Sequence, residues 1–264
     1  MYRSQVEVRS KCSRWRAKGS DGQRDGTEKD KAATDLDPSS QEAECGSYAS
    51  RQARRGLAGE MRIGIDFDNT IISYDAVFLA AARDEGLIEA EFSGAKQAIR
   101  DAIRLLPEGD LAWQKLQGQV YGRGVVRAQM IPGVDSFLRR CRKDGCPVLI
   151  VSHKTEFGHY DPERVNLRDA ALDWMKSQGF FDEGRYEIPM ENVFFEGRRA
   201  EKLARIGTLG CTHFIDDLEE VLSDPEFPQG VDRILFSDGA GAAKSAPYIV
   251  CPTWRDIERH VFRG

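Results

Sequence analysis

The chain has no apolar run long enough to cross a bilayer, and its mean hydropathy is −0.50, which excludes a helical membrane channel or anchor. It also lacks an excess of positive charge: the formal net charge is −5 and the pI is near 5.6. Nucleic acid is therefore a poor partner, and a small anionic substrate would need local cations or a metal. The six cysteines (Cys12, Cys45, Cys141, Cys146, Cys211, Cys251) include no C-x-x-C pair, and no secretory apolar segment precedes them. They are expected to be reduced and structural, in a cytoplasmic protein.

What is present is enough apolar material for a core, 41% of 264 residues, distributed unevenly. Residues 1–60 carry almost no periodic apolar pattern, and Lys18 to Gln41 is nearly all Asp, Glu, Lys, Arg, Gly, Ser and Thr. Such a segment cannot bury enough surface to offset its chain entropy and is expected to be a disordered extension. Its acidic residues, Glu7, Asp21, Asp25, Glu28 and Asp30, are wrong for a transit peptide. Met61 stands directly before the first strand pattern, so a start of translation there is the other reading.

From Met61 onward strands and helices alternate. Ile63, Ile65 and Phe67 alternate with Gly64, Asp66 and Asp68, a strand running out into two carboxylates. The continuous apolar run from Pro147 to Ser152 suits a parallel strand covered on both faces. Further strands are expected at 192–195, 212–215 and 233–236. Helical spacing appears in Val134, Phe137, Leu138 and Cys141, in Leu167, Ala171, Trp174 and Met175 within a helix expected over 163–178, and in Leu218, Val221 and Leu222. The pattern predicts an α/β fold with a Rossmann-like, doubly wound parallel sheet. The stretch from Thr70 to Pro132 is far longer than a crossover needs. Ala95, Ile99, Ala102, Ile103 and Leu106, then Ala112, Leu116 and Val120, mark a small helical module inserted after the first strand. The expected division is 1–60 as extension, 61–72 with 131–264 as catalytic core, and 73–130 as cap.

Ligands of open parallel sheets gather at the carboxyl ends of strands. The sequence puts Asp66 and Asp68 at the end of the first strand, Ser152, His153, Lys154 and Thr155 at the second, and Asp216 and Asp217 at the fourth, with Lys202 on the helix leading into the fourth. Four crowded carboxylates and one lysine call for a hard divalent cation, and Mg²⁺ is the usual one where phosphate is bound.

This ordered set resembles the haloacid dehalogenase superfamily, and the resemblance covers essentially all of 61–264. Asp66-x-Asp68-x-Thr70 matches the family's first motif, Ser152 the second, Lys202 the third and the Asp216-Asp217 pair the fourth. Chemistry and resemblance agree on roles. Asp66 would be the nucleophile that forms an aspartyl-phosphate, and Asp68 the general acid and base. The Asp66 carboxylate, the Asp68 carbonyl and Asp216 or Asp217 would hold Mg²⁺, while Ser152 and Lys202 bind phosphoryl oxygens. Asn69 and Thr70 would organise the turn. Asp68 favours phosphoryl chemistry, since the dehalogenase branch lacks its equivalent. The insertion is what the superfamily calls a type 1 cap, a lid that favours a small phosphorylated metabolite as substrate.

Other signals are weaker. His153 and Lys154 follow the second-motif serine and are candidate substrate contacts, as are Trp113 and Tyr121 on an aromatic stripe; the alternatives are loop formation and cap core. Lys96, Arg100 and Arg104 form a basic stripe expected to be a solvated face. His159 and Tyr160 are placed to reach the site, His213 reads as a core histidine, and the loop around 239–245 only superficially resembles a phosphate loop. Besides a phosphomonoesterase, a catalytically idle metal- or phosphate-binding relative and a phosphotransferase stay open. A receiver domain is disfavoured, because its acidic pair comes on the first strand and its acceptor later.

Overall fold

The structure, a computed structural model, describes residues 61–158, 160–161, 163–237 and 245–263. The expectations for 1–60, for His159 and for the loop at 239–244 lie outside the described residues. A six-stranded parallel sheet forms the centre: β1 (Ile63–Ile65), β4 (Val148–His153), β5 (Val193–Glu196), β6 (His213–Asp216), β7 (Asp232–Phe236) and β8 (Ile249–Cys251), in the order β5-β4-β1-β6-β7-β8. A two-stranded antiparallel ribbon, β2 (Ile72–Ser73) with β3 (Gln129–Met130), stands apart from it, pairing Ile72 with Met130 and Ser73 with Gln129.

Both faces of the sheet are covered, as the apolar runs require. Along β4, Val148 and Ile150 join one cluster with Ile63, Ile65, Ile215 and Ile234, whereas Leu149 and Val151 join a second with Phe214 and Leu235. The first face is packed by α4 (Val134–Asp144), α5 (Leu167–Ser177) and α8 (Trp254–Val261), through residues such as Phe137, Trp174 and Trp254. The second is packed by α6 (Arg199–Thr208) and the single turn α7 (Glu219–Leu222), through Leu203, Ile206 and Leu222. At Gly64 a Cβ would stand 2.5 Å from the Phe214 ring, so only glycine lets that ring lie against the central strand.

The insertion occupies the chain between the two ribbon strands and consists of α1 (Asp75–Asp84), α2 (Lys96–Arg104), α3 (Gly109–Tyr121) and a 3₁₀ turn (Arg123–Arg127). The ribbon is its neck. Helix α5 begins at Leu167, later than expected, because Asn166 caps it by accepting from the amides of Arg168 and Asp169. No helix among the described residues is long and apolar enough to cross a membrane.

The chain runs outward from β1 to β4 and β5, then returns across the sheet through α6 to β6, β7 and β8. The winding therefore reverses between β1 and β6. A crevice opens at such a reversal, beyond the carboxyl ends of the strands.

Candidate active site

Asp66 follows β1 and Asp216 ends β6, so the two carboxylates flank the reversal point, and the Asp66 amide donates to the Ile215 carbonyl at 2.9 Å. Lys202, in the first turn of α6, joins them. Its Nζ donates to Asp66 Oδ1 at 2.7 Å and to Asp216 Oδ2 at 2.6 Å. All three residues are buried, and an ammonium inside a fold is tolerable only with such pairing. Burial alone would lower the Lys202 pKa; Asp66 and Asp216 outweigh it and hold the group charged. Asp216 is fixed at its other oxygen as well, accepting from the Leu218 amide at 2.9 Å.

Asp217 completes a cluster in which one carboxylate oxygen each from Asp66, Asp216 and Asp217 lies within 4.8 Å of the others. One lysine does not balance three acids. Burial first, and then neighbouring carboxylates, push Asp66 up to about 7 and Asp217 well above the usual carboxylate range. Three hard oxygen donors around one point, two of them on buried residues and with Asp66 and Asp217 disfavoured in their charged forms, fit a divalent cation of the Mg²⁺ type.

Asp68 stands in a different environment. Its side chain is outside the three-carboxylate cluster and is held by Lys154, whose Nζ lies 2.7 Å from Oδ2 and 3.0 Å from Oδ1, and by the Tyr74 hydroxyl, which donates to Oδ1 at 2.8 Å. The turn that carries it is tied locally. Asn69 adopts a left-handed backbone (φ 59°), which asparagine tolerates better than most residues. The Ile71 amide donates to the Phe67 carbonyl at 3.0 Å, and Trp254 Nε1 donates to the Thr70 carbonyl at 3.0 Å. The Thr70 hydroxyl reaches Asp217 Oδ1 at 3.3 Å, linking the turn after β1 to the one after β6.

Ser152 sits near the end of β4, whose Ile150 is in register with Ile65 of β1, so it comes to the same sheet edge as Asp66. It is buried, and its Oγ has no hydrogen-bond partner. A buried hydroxyl left unpaired costs free energy, and a phosphoryl oxygen is a suitable acceptor for it.

The remaining expected contacts divide. Lys154 is buried and engaged by Asp68, a structural and electrostatic partnership that the sequence reading did not find. His153 is exposed and turned to the Gly197 carbonyl, 3.0 Å from Nε2. Trp113 is packed in the insertion, 3% exposed and stacked on Phe78 at 5.0 Å between ring centroids. Tyr121 contacts Tyr74 edge-on, with the ring centroids 4.8 Å apart, and faces the site. The basic stripe is not uniform: Arg100 pairs with Asp101 and Arg104 with Asp110, while Lys96 is half-buried over aromatic rings. His213 is half-buried at the opposite end of β6, beside Thr212, and Tyr160 is exposed.

No protein-family model matches the chain, and no curated protein matches it. Solved structures do. The protein tyrosine kinase A of Mycobacterium tuberculosis matches with a TM-score of 0.52 at 13% identity, over 78% of this chain and 100% of that one. A haloacid dehalogenase-superfamily hydrolase of subfamily IA from Geobacter sulfurreducens matches with a TM-score of 0.48 at 16% identity, over 77% and 98% of the two chains. One from Ehrlichia chaffeensis matches with a TM-score of 0.44 at 14% identity, over 78% and 98%. At such identities the likeness is one of fold. The chain shares with the first of these structures its fold, a parallel α/β sheet with a helical insertion after the first strand.

Proposed function

We propose that this protein is a Mg²⁺-dependent phosphomonoesterase of the haloacid dehalogenase superfamily, acting on a small phosphorylated metabolite in the cytoplasm. Residues 61–72 with 131–264 form its catalytic core and 73–130 its cap. The observation that carries the reading is the separation of two aspartates only two residues apart. Asp66 shares Lys202 with Asp216, whereas Asp68 is held by Lys154 and Tyr74. Two carboxyl groups in unlike environments can take unlike roles in one reaction.

Asp66 acts as the nucleophile. Lys202 anchors its Oδ1, and among the described residues no hydrogen bond occupies Oδ2. Attack of a carboxylate oxygen on phosphorus forms the aspartyl-phosphate while the ester P–O bond breaks, and Asp68 gives a proton to the leaving oxygen. Asp68 then takes a proton from the water that attacks phosphorus, which releases inorganic phosphate and restores Asp66. Ser152 Oγ and Lys202 Nζ donate to phosphoryl oxygens. The carboxylates of Asp66, Asp216 and Asp217, with the carbonyl of Asp68, would hold the cation. When bound, it neutralises charge on the transferring group.

The test is hydrolysis of an aryl phosphate with Mg²⁺ by the wild-type protein and by Asp66→Asn. The amide keeps the shape of the carboxylate but is not a nucleophile, so turnover is expected to vanish; turnover that persists in the variant contradicts the mechanism.

A further inference from the structure

Lys202 and Lys154 are both tied to carboxylates, but a third ammonium near the site is not. Lys96 opens α2 in the insertion, where its backbone amide donates to Asp75 Oδ1 at 2.9 Å and so fixes the start of α2 against α1. Its side chain is half-buried over two rings, with Nζ 5.7 Å from the Phe78 centroid and 5.4 Å from that of Tyr121. The Lys154 ammonium is also 5.4 Å from the Tyr121 centroid, and Lys154 is the partner of Asp68. Lys96 thus comes from the cap to the catalytic side.

The electrostatics agree with this position. Burial lowers the Lys96 pKa, while Asp217, Asp68 and Asp75 act on it in the opposite direction. Among the described residues it is the one lysine that is neither exposed nor within 4.0 Å of a carboxylate oxygen. The rings of Phe78 and Tyr121 offer a partial counterweight, but a half-buried ammonium without a counter-ion remains costly unless a ligand supplies one.

We propose that Lys96 binds a second anionic group on the substrate, so that the preferred esters are phosphorylated small acids rather than phosphorylated polyols. This rests on the phosphatase reading. Ser152 and Lys202 meet the phosphoryl group from the sheet edge, beside the carboxylates that would hold the cation, and Lys96 meets the rest of the molecule from the cap. A carboxylate there accepts a charge-assisted hydrogen bond from Nζ; a hydroxyl in its place accepts a weaker one.

The experiment compares the phosphate esters of glyceric acid and of glycerol, which share the phosphoryl group and a hydroxyl and differ in one carboxylate. Relative kcat/KM is measured for wild type, Lys96→Met and Lys96→Arg, and relative Kd by calorimetry on the same three in an Asp66→Asn background with Mg²⁺. The preference for the glyceric acid ester is expected to fall about tenfold or more in Lys96→Met, in both ratios, and to be largely kept in Lys96→Arg. Equal loss for the two esters, the outcome of a purely structural role, overturns the proposal, as does a wild type that does not prefer the acid. If neither ester is hydrolysed but the binding ratio still falls, Lys96 reads the carboxylate and the phosphatase reading fails. If both are hydrolysed and the binding ratio is unmoved, the reverse holds.

Discussion

The ammonium of Lys154 lies 2.7 Å from Oδ2 of Asp68, and only 3% of the lysine side chain is exposed. The pair joins the ends of two adjacent parallel strands, β1 and β4, and together with the Tyr74 hydroxyl sets where the second aspartate stands. Replacing Lys154 by methionine leaves Asp68 without its cation. Stability in urea is expected to drop by about 1–3 kcal/mol. Turnover is expected to fall further for alkyl than for aryl phosphates, because only the former depend on a well-placed acid. Equal rate losses for the two leaving groups would mean that Lys154 does not act through Asp68.

Among the described residues, Lys202 is the one cation bonded to both Asp66 and Asp216. Its replacement by methionine strands buried carboxylates, so the metal-free protein is expected to lose about 3–5 kcal/mol. A divalent cation should recover part of that loss, because it binds the folded state. Melting temperatures with Mg²⁺ and with a chelator check this: the gap between the two should be wider in the variant than in wild type.

Asp216 and Asp217 differ in how they are held. Asp216 is fully buried and bonded at both oxygens, by Lys202 and by the Leu218 amide; Asp217 accepts from Thr70. Asp216→Asn is therefore expected to destabilise the protein with or without metal. Asp217 is held above the normal carboxylate range by burial and by Asp66 and Asp216, so its charged form weakens the metal-free fold. Asp217→Asn should leave the melting temperature in chelator unchanged or slightly higher and reduce the rise that Mg²⁺ produces. A melting temperature in chelator several degrees lower would contradict this assignment.

Trp113 stacks on Phe78 inside the cap. Trp113→Ala is expected to cost about 3–5 kcal/mol and to lower kcat/KM alike for all esters, whereas Tyr121→Ala should change their ranking. A change of ranking in Trp113→Ala with stability intact would return Trp113 to the substrate side.

Much of this architecture was legible because strands covered on both faces advertise themselves. The run at 147–152 became β4, and the sheet-end positions of Asp66, Ser152 and Asp216 followed from it and its neighbours. Less was legible where side-chain direction decides. Lys154 and Asp68 are 86 residues apart, and nothing in a loop sequence says that the lysine turns back under the cap. Lys96 looked like the first residue of a solvated stripe, and only the packing of α2 against α1 and α3 separates it from Arg100 and Arg104. Helix α1 had a signal in Val77, Phe78, Ala81 and Ala82, now buried, that the sequence reading passed over. Strand β8 spans three residues, too short for an alternation to stand out.

The most direct test of the account is chemical trapping of the intermediate. The wild-type protein is mixed with a ³²P-labelled phosphomonoester and Mg²⁺, quenched in acid during turnover, digested and mapped. The account predicts label in the peptide that contains Asp66, released by hydroxylamine as an acyl phosphate should be, and absent from Asp66→Asn. Turnover with no acid-stable label in wild type, or label on any other residue, would contradict Asp66 as the nucleophile.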